Sequence, residues 1–326
     1  LGGHDHDYYI RYANNIPIIH SGCEFRHGTL VNITLNDPDN NDTSEPSSTD
    51  DEEATSWKFV GPRVTCKLEK FTVTSEVSKD PEMEKVLSKT NEQINKKMVK
   101  VLGESETDWD VTSKKCRLQE NNVGSFLTDL MREGYHTDIA LLCGGTLRSN
   151  DVYKKGEIRV GDIMKILPFP DTVSVARIKG KYFRESLENG VSAYPHAEGR
   201  FPQISGAHLE FDPSKEPGSR ITKLLIGDEP CEDEKIYTLA TKPFLLQGGD
   251  GYSALGNYED LIVDDEGIPL ATLFRNYFIE LKVLNALTKS QRVANIVATA
   301  FTKEVHQKRQ KAAPKTHGRI VIVGSE

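Results

Sequence analysis

The spacing of the apolar residues changes at Pro81, and this change most constrains the fold. Before it, apolar residues from Ile16 to Leu35 and from Val64 to Val77 come in short runs or alternate with polar ones, as is typical of strands. From Pro81 to about Val101 they recur near every 3.6 residues, which indicates a helix. Asp80 is a suitable cap for it, and proline suits its first position. The sequence therefore predicts a β-rich segment over 1–80 and a connecting helix over 81–101.

Helical and strand patterns alternate in the second half of the chain. Asn122 is the expected cap of a helix that ends at Gly134, and Asp138–Cys143 is predicted to be a short, wholly apolar strand that runs into Gly144-Gly145. A strong helical pattern runs from Leu270 to Leu284. These alternating elements predict one α/β domain (α+β, with a mixed sheet) over 102–312, followed by a tail over 313–326.

The net charge belongs to one segment. The chain has 41 Lys and Arg against 49 Asp and Glu, a net charge of −8. Residues 36–56 hold eight of the acids and no Lys or Arg, so the remainder is neutral. This stretch also lacks large apolar side chains, which predicts an acidic surface loop. No basic stripe typical of nucleic-acid binding is present, and no run approaches the roughly 18 apolar residues of a membrane span.

The cysteines and the two ends of the sequence lead to expectations about where the protein is located in the cell and whether the sequence is a fragment. Five widely spaced cysteines without a CxxC motif favour reduced thiols over a disulfide framework. With no long apolar tail, this predicts a cytoplasmic location, and an extracellular location is the alternative. The basic stretch from Lys303 to Arg319 is interpreted as a solvated helix end and trailing coil. Because the chain opens on Leu1 and then directly on a histidine motif, we expect it to be a fragment.

The first candidate site is Gly3-His4-Asp5-His6. Alternate residues of an extended segment project to the same side, so His4 and His6 could both reach a pair of metal ions. Two adjacent metals can polarise a phosphoryl group and generate hydroxide. The alternative is a polar chain end with incidental histidines.

Two further glycine loops carry candidate binding residues. Gly144-Gly145-Thr146-Leu147-Arg148 follows the apolar strand and would place a phosphate-binding guanidinium at its carboxyl end. Gly248-Gly249-Asp250-Gly251 presents one carboxylate, whose two oxygens match a vicinal diol such as that of ribose. The alternatives are a tight turn with a solvent-facing arginine and a glycine-rich hairpin.

Two phenylalanines lie next to prolines. Phe169 is flanked by Pro168 and Pro170, and Phe244 follows Pro243. Each alone would ordinarily be a core residue. Together they could hold a base between two rigid faces, with about 1–3 kcal/mol for each stack.

These segments together resemble the 5′-nucleotidase family, the metallophosphatases that include ectonucleotidases and bacterial UDP-sugar hydrolases. Five motifs carry the resemblance in order: Gly-His-Asp-His at 3–6, Asn122 to Phe126, Gly144 to Arg148, Ile166 to Phe169 and Gly248 to Tyr252. It covers nearly the whole chain. It implies that 1–80 is the end of a calcineurin-like metallophosphatase domain and that 102–312 is the substrate-binding domain.

The resemblance also implies roles for individual residues. Phe169 and Phe244 would clamp the base, Asp250 with Gly248 and Gly249 would hold the ribose, and Arg117 and Arg148 would bind the phosphate. His4 and His6 would be the last ligands of a site for two divalent metals, such as Zn or Mn. The family's upstream ligands have no counterpart here. The expected function is therefore metal-dependent hydrolysis of nucleoside 5′-phosphates, or of a related phosphorylated metabolite, to which this chain supplies mainly substrate binding and is inactive alone.

Two other functions are consistent with the same residues. One is a non-catalytic module that binds a nucleotide or sugar phosphate. The other is a scaffold that uses the acidic loop at 36–56 to bind basic partners.

Overall fold

In a computed structural model, the structure describes residues 8–13, 16–22, 25–35, 56–60, 64–263, 267–288 and 311–324. The chain forms two compact units, 1–90 and 91–326. The acidic loop at 36–56 lies almost entirely outside the described residues, as do His4 and His6. The proposed limits of the domains stay predictions.

The first unit is built from antiparallel strands. A hairpin pairs β1 with β2, and a three-stranded sheet has the order β3-β5-β4. Its small core is formed by Ile19 and Leu68, with Tyr8 and Ile10 packed against them. The strands are β1 (Tyr8–Ala13), β2 (Ile16–Ser21), β3 (His27–Leu35), β4 (Ser56–Val60) and β5 (Val64–Thr72).

The predicted connecting helix is α1, Pro81–Met98. The Asp80 carboxylate accepts the backbone N–H groups of Glu82 and Met83 at 2.8 and 2.9 Å, so it caps the helix as the sequence predicts. The helix ends three residues earlier than expected, because Val101 already begins a strand.

The second unit holds the predicted mixed α/β architecture. Its helices are α2 (Ser113–Cys116), α3 (Asn122–Tyr135), α4 (Val160–Ile166), α5 (Gly180–Val191), α6 (Pro243–Leu246) and α7 (Leu270–Thr288). Its strands are β6 (Val101–Ser105), β7 (Trp109–Asp110), β8 (Ile139–Cys143), β9 (Val152–Tyr153), β10 (Gly156–Arg159), β11 (Ser174–Lys179), β12 (Pro202–Ser205), β13 (Ala207–Phe211), β14 (Ile221–Ile226), β15 (Glu229–Pro230), β16 (Ile236–Thr241), β17 (Asp260–Val263) and β18 (Ile320–Ile322).

A central sheet organises this unit. Its strand order is β12-β8-β16-β11-β17, with β8 and β16 parallel and the other neighbours antiparallel. A second sheet has the order β15-β14-β13-β18, and β6 with β10 and β7 with β9 form two-stranded ribbons.

The apolar strand β8 lies between two hydrophobic cores. Ala140 and Leu142 belong to the core that includes α3 and α7, while Ile139, Leu141 and Cys143 belong to the core that includes α5. All five residues are buried, which explains why this strand lacks the polar alternation of a strand with one wet face.

Three local predictions differ from the structure. The cap of α3 is Asn121, whose side chain accepts from the N–H groups of Val123 and Gly124, and not Asn122. The helix passes through Gly134 and ends at Tyr135, and its C-cap residue His136 is left-handed with φ of 53°. Strand β5 ends at Thr72, five residues before the predicted end at Val77, which lies in an exposed segment.

The end of the chain is more ordered than the basic composition suggests. Residues Ile320–Ile322 form β18, parallel to β13. Arg319 donates two hydrogen bonds to Asp129, at 2.7 and 3.0 Å, and is not a solvated coil residue. The partly buried Asp129, which is distant in the sequence, thus helps to hold this segment.

Candidate functional site

Four loops of the second unit leave the central sheet at one edge. Leu239 and Ala240 pair in parallel with Ile139 and Ala140, so β8 and β16 end together. Strand β11 begins at the same edge because Ser174 pairs with Thr241, and β12 begins there because Pro202 pairs with Cys143. The register therefore brings together the loops at 144–151, 167–173, 192–201 and 242–259.

The Gly144 loop lies tightly against its neighbours. A Cβ at position 144 would overlap the carbonyl oxygen of Cys116, and one at position 145 would lie 3.1 Å from the Cα of Gly199. The N–H groups of Gly144 and Gly145 donate to the carbonyls of Phe201 and Gly199 at 2.6 and 2.8 Å. The two glycines thus allow close backbone approach, as their sequence suggests, but toward the protein's own loop at 199–201.

Of the two predicted arginines, Arg117 lies next to this loop and Arg148 belongs to it. Arg117 directly follows Cys116 at the end of α2 and donates weakly to the carbonyl of Ala197 at 3.5 Å. Its Nε is buried and has no hydrogen-bond partner among the described residues. The exposed Arg148 places its guanidinium carbon 5.2 Å from the centre of the Phe169 ring.

The two phenylalanines are at the surface and belong to neither core. Phe169 is 48% exposed and Phe244 is 42% exposed. Phe169 lies five positions before the first residue of β11 and Phe244 lies three positions after the last residue of β16, so both rings lie beyond the same end of two paired strands. Phenylalanine rings are more often buried, and here two partly exposed ones lie at one edge of the sheet.

A buried ion pair joins the loops that carry these rings. Lys242 Nζ lies 2.9 Å from the Oδ2 of Asp171, and the two side chains are 7% and 24% exposed. The same ammonium lies 4.8 Å from the centre of the Phe244 ring. The two residues are 71 positions apart in the sequence, so the sequence alone does not show that they pair.

The glycine turn holds Asp250 in an unusual backbone conformation. Asp250 is left-handed, with φ of 52°, between Gly248 at 84° and Gly251 at 81°. Gly249 packs against the Phe244 ring, which a Cβ at that position would overlap. The segment forms a short 3-10 helix, Gly249–Gly251, in place of the alternative hairpin.

Surrounding side chains fix this turn. Asn189 Nδ2 donates to the carbonyl of Asp250 at 3.1 Å, and Arg200 donates to Asn189 Oδ1 at 3.3 Å. The buried Tyr252 hydroxyl donates to the carbonyl of Arg200 at 2.6 Å. Burial raises the pKa of this phenol well above its usual value, so it remains a donor at neutral pH.

The Asp250 carboxylate lies near the loop at 197–199 and near Cys143. Its Oδ2 would be 3.3 Å from a Cβ at Gly199. Burial raises the pKa of the Cys143 thiol; the nearby Lys242 ammonium lowers it, and Asp250 raises it further. The thiol lies 3.5 Å from Thr146 Oγ1. The Cys143 thiol is therefore protonated and neutral, and it lies near both charged residues.

The described part of the chain thus brings Arg117, Arg148, Phe169, Phe244 and the Gly248–Asp250 turn to one edge of one sheet. Their roles toward a ligand remain proposals. Four further residues surround these candidates, and the sequence analysis did not name them as site residues: Lys242, Asp171, Asn189 and Arg200. The Lys-Pro-Phe sequence at 242–244 was the available signal for the first of these, since a lysine at the end of a buried strand needs a partner.

No metal centre is found within the described ranges. No group of three or more His, Cys, Asp or Glu side chains there could hold a metal ion. Also within these ranges, no helix is both long and apolar enough to cross a membrane.

The second unit matches a known family. A family model described as the 5′-nucleotidase C-terminal domain matches residues 101–257. The 5′-nucleotidase of Bos taurus is 27% identical over 231 residues, covering 65% of this chain and 40% of that protein. The trifunctional nucleotide phosphoesterase protein YfkN of Bacillus subtilis is 25% identical over 262 residues, covering 78% of this chain and 16% of that protein.

A solved structure agrees with this match. The crystal structure of a 5′-nucleotidase precursor from Thermus thermophilus superposes with a TM-score of 0.62 at 27% identity, covering 81% of this chain and 48% of that one. The chain therefore spans less than half the length of these relatives.

Proposed function

Because the chain contains the C-terminal domain of the 5′-nucleotidase family, over residues 101–257, we propose that its second unit binds a nucleoside 5′-phosphate or a closely related phosphorylated metabolite. The observation that carries the proposal is the meeting of two half-exposed rings, a carboxylate on a glycine turn and two arginines at one edge of the central sheet.

Each group suits a different part of such a ligand. Phe169 and Phe244 supply apolar faces on which a base can stack. The Asp250 carboxylate accepts hydrogen bonds from the ribose hydroxyls, at the turn that also contains Gly248 and Gly249. Arg117 and Arg148 supply N–H donors for the phosphate, and the buried Nε of Arg117 still lacks a protein acceptor among the described residues.

The family-level activity is nucleotide hydrolysis, and we propose that the whole protein hydrolyses the phosphate ester with two divalent metal ions. His4 and His6 would contribute ligands, but they lie outside the described residues, and the described side chains form no metal-binding group. We therefore derive no chemical step through the metals. The proposed contribution of this chain is to bind and orient the substrate. The cytoplasmic location stays a prediction.

Calorimetry with AMP tests the binding proposal. Loss of one stacking face in Phe244→Ala removes about 1–3 kcal/mol, which corresponds to binding weaker by about 5- to 150-fold. Phe25→Ala is the matched control, because Phe25 is 91% exposed and lies in the first unit. Unchanged AMP affinity in Phe244→Ala would contradict the base assignment.

The ribose assignment has its own test. Asp250→Asn keeps a side chain that tolerates the left-handed backbone but removes the charge. A hydrogen bond to a charged acceptor contributes about 1.5–3 kcal/mol, so AMP should bind about 10- to 150-fold more weakly. The variant should also lose the preference for AMP over 2′,3′-dideoxy-AMP. Asp228→Asn, at an exposed carboxylate, is the control, and a preference retained in Asp250→Asn would overturn the assignment.

A further inference from the structure

The Lys242–Asp171 ion pair lies beyond the point where backbone pairing between β11 and β16 ends. The β11–β16 ladder ends at the pair Ser174 and Thr241. Beyond it, Asp171 follows Phe169 by two residues and Lys242 precedes Phe244 by two. The ion pair, at 2.9 Å, therefore links the two ring-bearing loops just past the last rung of the sheet.

The burial of Lys242 requires an explanation. A lysine side chain that is only 7% exposed loses most of its hydration, and its carboxylate partner offsets that cost only in a fixed geometry. An apolar residue of similar length would fill the same space without this penalty. The charged pair instead fixes one arrangement of the loops, and its ammonium also lies against the Phe244 ring at 4.8 Å.

The separation of the rings determines whether a planar group can stack. Carbon atoms in contact lie about 3.5 Å apart, so a base between two rings needs a gap of about 7 Å. A shift of one loop by about 1 Å forfeits much of the contact on one face, because dispersion falls steeply with distance.

We propose that Lys242 and Asp171 are positioning residues that set the gap between Phe169 and Phe244, and thereby determine how tightly the chain holds a base. The inference rests on the proposed function, since it assumes that these rings hold the base. The pair itself does not touch the ligand. The ion pair therefore affects how tightly the base is bound and does not affect how tightly the sugar phosphate is bound.

Binding of AMP and of ribose 5-phosphate to the full chain separates these contributions. Lys242→Met keeps an unbranched apolar stem and removes the charge. We expect it to weaken AMP binding by about 10-fold, within the range that one lost stacking face produces. Ribose 5-phosphate, which has no base, should bind unchanged. Lys242→Arg keeps the charge and the carboxylate partner and should restore AMP affinity.

A spectroscopic readout reports the stacking directly. The monophosphate of 2-aminopurine riboside loses fluorescence when its base stacks on aromatic rings. The wild-type chain should quench it, Lys242→Met should quench it less at saturation, and Lys242→Arg should quench it as the wild type does. A purely structural role for the lysine would leave quenching at saturation unchanged.

Each outcome decides between the two proposals. If the wild-type chain binds AMP no more tightly than ribose 5-phosphate, the base-clamp part of the proposed function fails. If the wild type prefers AMP and Lys242→Met retains that preference, the positioning role is wrong and the proposed function stands. An equal loss of affinity for both ligands would also overturn the positioning role.

A second variant covers the case in which Lys242→Met does not fold. Lys242→Met with Asp171→Asn removes both charges and leaves no buried charge unpaired. Because the two residues act through one contact, the double variant should lose no more AMP affinity than a folded single variant loses. A clearly larger loss would show that they act separately and would overturn the proposal.

Discussion

At the scale of single residues, the site depends on places where no side chain fits. Gly144 lies directly against the Cys116 carbonyl, while Gly249 lies against the Phe244 ring. Neither glycine has a positive φ. Their role is to provide space, and any added carbon displaces a backbone loop or a ring of the site.

A pair of glycine substitutions tests this requirement. Gly144→Ala should lower the free energy of unfolding by about 1–3 kcal/mol, because overpacking forces the backbone apart. Gly134→Ala in α3 is the control, since a Cβ there meets nothing within 4 Å. It should stabilise the protein by about 0.5–1 kcal/mol through its higher helix propensity. Chemical denaturation measures both, and an unchanged stability in Gly144→Ala would contradict the close approach.

At the scale of elements, one buried carboxylate holds the last strand of the chain. Glu120 accepts hydrogen bonds from the hydroxyl of Ser125 and from the backbone N–H groups of His317 and Arg319, at 2.7 to 2.9 Å. These contacts position β18 beside β13. The order of the segment therefore depends on a residue almost 200 positions away.

Replacing this acceptor should loosen the segment. In Glu120→Gln one oxygen becomes an N–H donor that faces a backbone donor, so at least one hydrogen bond is lost at a cost of about 1–3 kcal/mol. We expect faster proteolysis within 311–324 and a lower midpoint of thermal unfolding. Glu185→Gln, at an exposed carboxylate on α5, is the control. Equal protease sensitivity in the two variants would argue against this role.

The same segment should make stability depend on pH. Burial, together with the Arg319 guanidinium, lowers the pKa of His317 below its usual value of about 6.5. The unfolded chain then binds a proton at a higher pH than the folded one. The free energy of unfolding should therefore fall as the pH drops through about 6.5 towards the pKa of His317 in the folded protein. Above about pH 6.5, this histidine should cause no further change of stability with pH. His317→Gln should remove this component, as measured by denaturation across the pH range.

At the scale of the whole molecule, substrate binding and catalysis are expected to separate. The described side chains that suit a nucleotide lie in the second unit, whereas the candidate metal ligands His4 and His6 belong to the first. We predict that the 326-residue chain, supplied with Zn²⁺ or Mn²⁺, binds AMP without releasing phosphate. A colorimetric phosphate assay measures this, and turnover would show that the chain carries a sufficient catalytic centre.

Sequence patterns predicted the parts of this molecule that local periodicity determines. The mixed α/β architecture, the apolar strand before Gly144 and the Asp80 cap follow from the order of apolar and polar residues over a few turns. The ends of α3 were missed by one or two residues, because Asn121 and Asn122 are equally plausible caps in a sequence. The strand at 320–322 was missed because its stability depends on Glu120 and Asp129, which are distant in sequence.

In the candidate site, too, some residues can be recognised from local sequence and others depend on contacts between distant segments. Rings beside prolines and an acid among glycines can be recognised from composition, so Phe169, Phe244 and Asp250 could be named in advance. The Lys242–Asp171 pair could not, because it forms only when two strands come into register. Contacts that position a site are mostly of this second kind.

The two rings extend from neighbouring strands that share one hydrogen-bond ladder, and this has a consequence for motion. A ligand held between them would link the two loops just beyond the last pair of that ladder, Ser174 and Thr241. Amide protons near Ser174 and Thr241 should then exchange with solvent more slowly when AMP is bound, while those at the far rung, Lys179 and Ile236, keep their rates. Binding would then increase the protection of backbone amides against hydrogen exchange most strongly near the rings, and this effect would decrease along the two strands away from them.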